Sequence, residues 1–244
     1  MKRNVAISIV VPAYNEEKLI DRCLTSLLSQ DFNLPYEIIV VDNNSTDQTS
    51  AIAQKYNVRI IQESRQGVVF ARQKGLTCAV GKIVASVDCD ATYPNSWLAI
   101  LYESFYDSHT VAVAGTPTME ANPYWAYFWY KSCFYVIKSV YGLTGYLVYV
   151  GAYNFAFRRQ TFLDLGGYRT YLDAGGDELD PLSRLRICGK VMFNPKLKMK
   201  ISARRYRQGF FKSMLIDGIY YYYVSYLLAK IFKHTSIRNH PIRE

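Results

Sequence analysis

The sequence predicts an α/β fold in which helices cover both faces of a mainly parallel sheet. Over the first part of the chain, short apolar runs rich in Val and Ile alternate with segments whose apolar residues recur at helical spacing. Strands that are apolar throughout are typical of parallel sheets, because helices bury both of their faces. A chain of 244 residues can bury one such domain and carry an appendage.

The predicted elements of this first part follow one another in regular order. We expect strands at residues 7–11, 37–41, 58–61 and 83–87. We expect helices between them at residues 17–28, 48–56 and 68–79. The residues from Ser45 to Gln48 resemble a capping box that opens the second of these helices.

The alternation loosens beyond residue 90. Helices are predicted at residues 96–105, 124–141 and 179–187, and strands at 111–114 and 153–157. The 124–141 segment is unusually aromatic, and Lys131 and Lys138 lie seven residues apart on one side of it. It is either a helix that packs on the sheet or one that lies in a membrane interface.

The formal net charge of +9 is concentrated at the end of the chain. From Lys196 onward there are eleven cations and two anions, so residues 1–195 sum to zero. No nucleic-acid-binding motif accompanies these cations, and we expect no nucleic-acid partner. An anionic membrane surface or a lipid phosphate suits a segment that is also aromatic, whereas the alternative is a solvated basic face of a helix.

The cysteines and the apolar stretches indicate a cytoplasmic protein. Five scattered cysteines without a CxxC pair argue against a disulfide framework or a zinc site and favour a reducing compartment. Residues 139–157 are interrupted by glycines, and residues 218–229 are too few to span a bilayer. We therefore expect peripheral attachment at the inner face of a membrane.

Polar residues follow the predicted strands at the edge where open α/β sheets bind ligands. Tyr14 and Glu16 follow the first strand, and Asp42 and Asn44 follow the second. An aromatic ring can stack on a base, and carboxylate and amide groups can accept from base N–H groups and ribose hydroxyls. These residues predict a nucleoside site, although no glycine-rich phosphate loop follows Val11.

Asp88 and Asp90 predict a site for a divalent cation. On an extended segment, residues two apart project to the same side, and a cation relieves the repulsion between their carboxylates. Hard oxygen ligands suit Mg²⁺ or Mn²⁺, which bridge carboxylates to substrate phosphates. A DxD pair alone is weak evidence, but this one follows a buried strand beside three other polar strand ends.

A further acidic cluster, Asp177, Glu178 and Asp180, precedes the last predicted helix. Carboxylates at a helix start are often caps, but three acids in four residues exceed what capping requires. One of them could act as a general base toward an acceptor hydroxyl.

The motifs together resemble family 2 glycosyltransferases of the GT-A fold. The resemblance covers residues 5 to about 190 and includes IVVPAYNEE at 9–17, VVDNNSTDQT at 40–49, GVVFARQKG at 67–75, VDCD at 87–90, GAYNFAFRR at 151–159 and GDELDPLSRL at 176–185. It implies an inverting enzyme that uses a nucleoside diphosphate sugar, most often a UDP-sugar, with Mg²⁺ or Mn²⁺. The acceptor would be a saccharide or a lipid-linked molecule.

The resemblance also implies roles for individual residues. Donor-binding roles fall on Pro12, Tyr14, Glu16, Asp42, Asn44, Arg72 and Asp88. Asp90 would bind the metal directly, and Asp88 would reach either the ribose or the metal.

The chain departs from the family pattern at two points. The family has Glu-Asp where this chain has Asp177-Glu178, so by position Glu178 is the predicted base and Asp177 the second choice. The Gln-x-x-Arg-Trp motif of processive members has no match at residues 204–208, which favours single additions.

The predicted domain organisation follows from these assignments. Residues 1–206 form the GT-A domain, with a Rossmann-like nucleotide-sugar half to about residue 115 and an acceptor half from about 116. Residues 207–244 form a basic, aromatic, helical extension.

Two other functions are compatible with a nucleotide site: a sugar-nucleotide pyrophosphorylase, which needs a glycine-rich loop after the first strand, and a non-catalytic nucleotide-binding scaffold recruited to membranes.

Overall fold

The computed structural model describes residues 4–119, 124–172, 176–202 and 204, which form one sheet flanked by helices. The strands of the described residues are β1 (Ile7–Ala13), β2 (Tyr36–Asp42), β3 (Arg59–Gln62), β4 (Ile83–Val87), β5 (Ala91–Thr92), β6 (Thr110–Met119), β7 (Asn154–Arg158) and β8 (Lys190–Ile201). The helices are α1 (Ile20–Leu28), α2 (Thr49–Ala53), α3 (Val68–Cys78), α4 (Trp97–Glu103), α5 (Tyr124–Thr144), α6 (Arg159–Asp164) and α7 (Leu179–Cys188).

The strand order is β3-β2-β1-β4-β7-β6-β8-β5. The first four strands are mutually parallel, β7 is antiparallel to both neighbours, and β6 and β8 are parallel to each other. The register pairs Ala13 with Asp42 and Asp42 with Gln62. The carboxyl ends of β1, β2 and β3 therefore meet at one edge, where the polar residues predicted to bind the nucleoside lie.

The core lies on both faces of the sheet, as strands that are apolar throughout require. Ile9 and Val11 face a cluster that includes Leu24 of α1 and Trp97 of α4. Val10, between them in sequence, faces the opposite cluster. Each fully buried aliphatic side chain contributes about 1.5–3 kcal/mol, so both faces stabilise the sheet.

The α/β prediction is confirmed, and the strands predicted in the first part of the chain match the observed ones within two residues. The capping box is wrong. The N-cap of α2 makes no side-chain cap hydrogen bond, and the helix has only five residues. The Ser45 hydroxyl instead accepts from the Asn15 N–H at 3.1 Å, so it joins the loops after β1 and β2.

The sequence analysis missed β8 and assigned its lysines to the basic end of the chain. Lys196, Lys198 and Lys200 are exposed, whereas Leu197 and Met199 between them are buried. This alternation is the period-2 pattern of a strand with one face exposed to solvent and the other buried. Three of the eleven cations therefore belong to the sheet, and the predicted 207–244 extension lies outside the described residues.

Candidate active site

The loops after β1 and β2 hold the predicted nucleoside residues next to each other. Asp42 is 3% exposed, and its carboxylate accepts from the Ser45 N–H and from Gln62 Nε2, each at 3.0 Å. Asn44 is exposed, and its φ of 67° bends the chain just after the strand. Pro12 and Tyr14 are half-buried at the end of β1. The side chains predicted to bind the nucleoside thus share one edge of the sheet.

Glu16 is tied into this edge by its backbone. Its N–H donates to Thr49 Oγ1 at 2.7 Å, and the neighbouring Asn15 side chain accepts from the Thr46 N–H at 2.8 Å. Non-glycine residues with positive φ are uncommon, and Asn15, at 51°, is of the residue type that tolerates it best. The Glu16 carboxylate contacts the guanidinium of Arg204.

Arg72 of α3 connects the end of β4 to the acidic cluster. Its guanidinium donates to Asp88 Oδ1 at 2.6 Å and to Asp177 Oδ2 at 3.0 Å, and it is 2% exposed. Burial by itself lowers the pKa of Arg72, but the two carboxylates outweigh it and raise the pKa above its usual value. This one side chain therefore holds together residues that are 16 and 105 positions away in sequence.

The segment from Asp88 to Asp90 is a turn, in which the Ala91 N–H donates to the Asp88 carbonyl at 3.3 Å. The expectation of an extended segment is therefore wrong. The two carboxylates meet different cations: Asp88 pairs with Arg72, and Asp90 Oδ2 lies 4.0 Å from Arg204. Their role as metal ligands stays a prediction.

The residues at this turn fit a cation that is shared with a phosphate group. Asp90 is 7% exposed and already faces a guanidinium, so a positive charge is favoured beside it. Among the described residues there is no group of three or more His, Cys, Asp or Glu side chains that could enclose a metal. Mg²⁺ and Mn²⁺ suit a site with few protein ligands, because they complete their coordination with water molecules and substrate phosphates.

Glu178 is the buried carboxylate at the centre of the acidic cluster. It accepts from the Tyr149 hydroxyl at 3.2 Å and from the Ala152 N–H at 3.1 Å. Burial, together with the nearby Asp177 carboxylate, raises the pKa of Glu178 to about 8. A carboxyl group with this pKa can exchange a proton near neutral pH.

The other acids of this cluster have structural partners. Asp180 is 1% exposed and pairs with Arg184 one turn along α7 and with Arg169 at 3.4 Å. Gly176 lies against the backbone, where a Cβ would be 1.8 Å from the Leu172 carbonyl oxygen. A side chain at Gly176 would therefore push the following acids out of place.

Sequence reasoning missed two residues of this site. Arg204 was counted among the terminal cations and given no role in the site, yet it reaches Glu16 and Asp90. Arg204 follows the alternating lysines of β8, so recognising that strand would have placed Arg204 next to the sheet. Tyr149 donates to Glu178 across 29 residues, and nothing in its sequence surroundings marks it.

A family model described as "Glycosyl transferase family 2" matches residues 8–166, more than half of the chain. The chain belongs to glycosyl transferase family 2. The resemblance stated from the motifs is thus confirmed.

One relative of this family 2 member aligns over only part of either chain. Glycosyltransferase AglE of Haloferax volcanii is 34% identical over 99 residues, which are 38% of this chain and 33% of that protein. The chain thus aligns with about a third of the length of that relative.

Two solved structures show the fold. Staphylococcus aureus TarS 1-349 in complex with UDP has a TM-score of 0.67 at 22% identity, covering 84% of this chain and 63% of that one. The mannosyltransferase PcManGT of Pyrobaculum calidifontis, in complex with GDP-Man and Mn²⁺, has a TM-score of 0.65 at 22% identity, covering 97% and 67%. The GT-A prediction is confirmed. Across the described ranges, this family 2 chain has no helix with both the length and the apolar character needed to cross a bilayer.

Proposed function

We propose that this glycosyltransferase is a metal-dependent, inverting enzyme that transfers a sugar from a nucleoside diphosphate sugar, first of all a UDP-sugar, to an acceptor hydroxyl or phosphate. The observation that carries the proposal is the Arg72 contact with both Asp88 and Asp177. It brings the strand end predicted to bind the donor to the cluster predicted to hold the base. Donor and acceptor would then meet between these two groups.

The donor nucleoside would lie over the ends of β1 and β2. Asp42 would accept from a base N–H, Tyr14 would supply an aromatic face, and Pro12, Glu16 and Asn44 would border the base and ribose. The fixed orientation of the Asp42 carboxylate, held by two hydrogen bonds, supports this role. Arg72 is too buried to present its guanidinium to solvent, so we propose that it orients Asp88 and Asp177 and leaves direct donor contact to Asp88.

Asp90 and Asp88 would hold Mg²⁺ or Mn²⁺ together with the donor diphosphate. The bound cation supplies Lewis-acid stabilisation of the negative charge on the departing diphosphate, an effect of several kcal/mol. Arg204 already contacts Glu16 and faces Asp90. When donor and cation bind, Arg204 would exchange these carboxylates for a diphosphate oxygen, for which a guanidinium has the matching geometry.

Glu178 would act as the general base. Its carboxylate takes the proton from the acceptor, the acceptor oxygen attacks the anomeric carbon, and the bond from that carbon to the diphosphate breaks, which inverts the configuration. The raised pKa of Glu178 makes it a stronger base than an ordinary carboxylate, and it acts in the molecules that have lost its proton, whose share grows as the pH rises toward 8. Asp177 pairs with Arg72 and is thereby a weaker candidate.

A donor screen tests the proposal. UDP-, GDP- and dTDP-sugars would be added with Mn²⁺, and both thermal stabilisation and release of the nucleoside diphosphate would be measured. We expect one nucleotide class to stabilise the protein and to be released slowly by hydrolysis, with chelation or Asp90→Asn removing the release. Binding without turnover on a panel of saccharide and lipid acceptors would contradict the proposal and favour a scaffold role.

A further inference from the structure

A pocket of about 270 Å³ lies between α5 and the carboxyl-terminal end of β6. Its lining is predominantly apolar and includes Met119, Phe134 and Phe193, and Lys131 and Lys138 lie on the α5 side. Pockets for compact small molecules span roughly 300–1,000 Å³. At about 270 Å³ this pocket lies just below that range, so it has room for a small apolar group or for one segment of a longer apolar molecule.

The outer face of α5, which carries the exposed Tyr124, Phe128, Tyr135, Val136 and Leu143, continues this apolar surface. Only Ala126 and Ile137 of the 21 residues of α5 are buried. Tyr135 is 72% exposed and Leu143 is 88% exposed. Exposed aromatic and aliphatic residues on one helix face, with lysines alongside, are typical of helices that lie in a membrane interface.

The two lysines lie where the pocket and the outer face meet. They are seven residues apart, which is two helical turns or about 10 Å along the axis. The Lys131 ammonium lies 5.8 Å from the centre of the Tyr127 ring, which also lines the pocket. Two long flexible side chains at this spacing can converge on a single anionic group at the pocket edge.

A chain of tyrosines connects the pocket to the candidate active site. The hydroxyl of Tyr130, in the pocket lining, hydrogen-bonds to that of Tyr153. The Tyr153 carbonyl accepts from the Tyr93 hydroxyl at 2.8 Å, and that hydroxyl accepts from the Asp88 N–H at 3.4 Å. The pocket is therefore separated from the predicted metal-binding turn by three tyrosine residues.

We propose that this pocket binds a segment of the hydrocarbon chain of a lipid phosphate, whose phosphate is bound by Lys131 and Lys138 while the outer face of α5 lies in the membrane interface. The proposal rests on the proposed function, since it identifies the acceptor as a membrane lipid that carries a phosphate and whose attacking hydroxyl lies on a group beyond that phosphate. The apolar lining matches the chain, and the two ammonium groups match the phosphate in charge.

The test uses the full chain with two probes: dodecyl phosphate in solution, and vesicles of phosphatidylcholine with or without phosphatidic acid. The charge-reversed variant carries Lys131→Glu and Lys138→Glu. Its matched control carries Lys55→Glu and Lys82→Glu, with the same change in net charge. Both control lysines are exposed and precede the strands β3 and β4, so they lie at the opposite edge of the sheet.

We expect the wild type and the control to bind dodecyl phosphate and to float with vesicles that contain phosphatidic acid. The charge-reversed variant should bind at least tenfold more weakly, and the exposed substitutions Tyr135→Ser with Leu143→Ser should reduce flotation while preserving thermal stability. Equal loss in the control, equal binding by the charge-reversed variant, or displacement of dodecyl phosphate by inorganic phosphate at similar concentration would overturn the proposal. So would a dimer whose formation Tyr135→Ser abolishes.

Nucleotide binding, measured on the same variants, distinguishes a failure of the lipid inference from a failure of the proposed function. Stabilisation by a nucleotide and Mn²⁺ should be unchanged in the charge-reversed variant. If the nucleotide binds and the lipid does not, the lipid inference fails while the donor assignment stands. If no nucleotide binds to any form of the protein, the proposed function itself fails.

Discussion

Replacing Glu178 by Gln should stabilise the protein and strongly slow transfer at the same time. The folded protein keeps the Glu178 proton up to a pH of about 8, whereas an unfolded chain releases it near the ordinary value of 4.5. Between these values the unfolded state binds fewer protons, so the free energy of unfolding falls as pH rises. Gln stays neutral and can still accept from the Ala152 N–H, so the variant should not lose this stability.

The size of the effect follows from the pKa shift. Each pH unit between about 5 and 8 should widen the stability gap between Glu178→Gln and wild type by about 1.4 kcal/mol, to a total of about 4 kcal/mol by pH 8. Urea unfolding at several pH values measures it. Transfer should fall by about 10²–10⁴ while donor binding is kept.

The neighbouring variant Asp177→Asn is the control for Glu178→Gln. Asp177→Asn removes a charge that helps raise the Glu178 pKa and also removes a partner of the buried Arg72. It should therefore lower stability instead of raising it. A stability gap for Glu178→Gln that does not change with pH, or wild-type transfer by that variant, would refute the assignment of Glu178.

The remaining predictions concern the donor side and the pH profile. Arg72→Lys cannot bridge two carboxylates and should lower the free energy of unfolding by about 3 kcal/mol in urea unfolding, with transfer reduced as well. Asp42→Ala should weaken nucleotide binding in calorimetry by about 10- to 100-fold, the loss expected for a hydrogen bond to a charged group. Arg204→Ala should tighten Mn²⁺ binding without nucleotide, because a competing cation leaves Asp90, and should weaken binding of the nucleotide with Mn²⁺. Weaker Mn²⁺ binding alone together with tighter nucleotide binding would contradict the proposed move of Arg204 from the carboxylates to the diphosphate. The kcat/KM for transfer should rise with pH toward a plateau above about 8, because Glu178 must lose its proton to act; a midpoint near the ordinary glutamate value would contradict this.

The sequence predicted the donor half well because its strands are strong local signals. β1, β2 and β4 are short, mainly apolar runs rich in Val and Ile, and their length and β-branched residues favour buried strands over helices. β8 was missed because its solvent-facing lysines lower its hydrophobicity, although Leu197, Met199 and Ile201 alternate with them. The six-residue α6 was missed because so short a helix shows little periodicity.

The residue types of the site could be predicted, but their pairing could not. Asp88 and Asp177 are distant in sequence, and only the folded sheet brings both to Arg72. Local geometry was also misjudged at Asp90, where a turn replaces the extended segment that a DxD pair was expected to form. Spacing alone does not show which way a chain bends after a strand ends.

Titration of Mn²⁺ in the presence and absence of UDP, followed by electron paramagnetic resonance, tests the central claim most directly. The claim is that Asp90 and a nucleoside diphosphate hold one cation together. Wild-type protein should bind Mn²⁺ about tenfold or more tightly when UDP, or whichever nucleotide the donor screen identifies, is present. Asp90→Asn should remove that gain. Mn²⁺ binding that is indifferent to every nucleotide, or a gain that survives Asp90→Asn, would contradict the account.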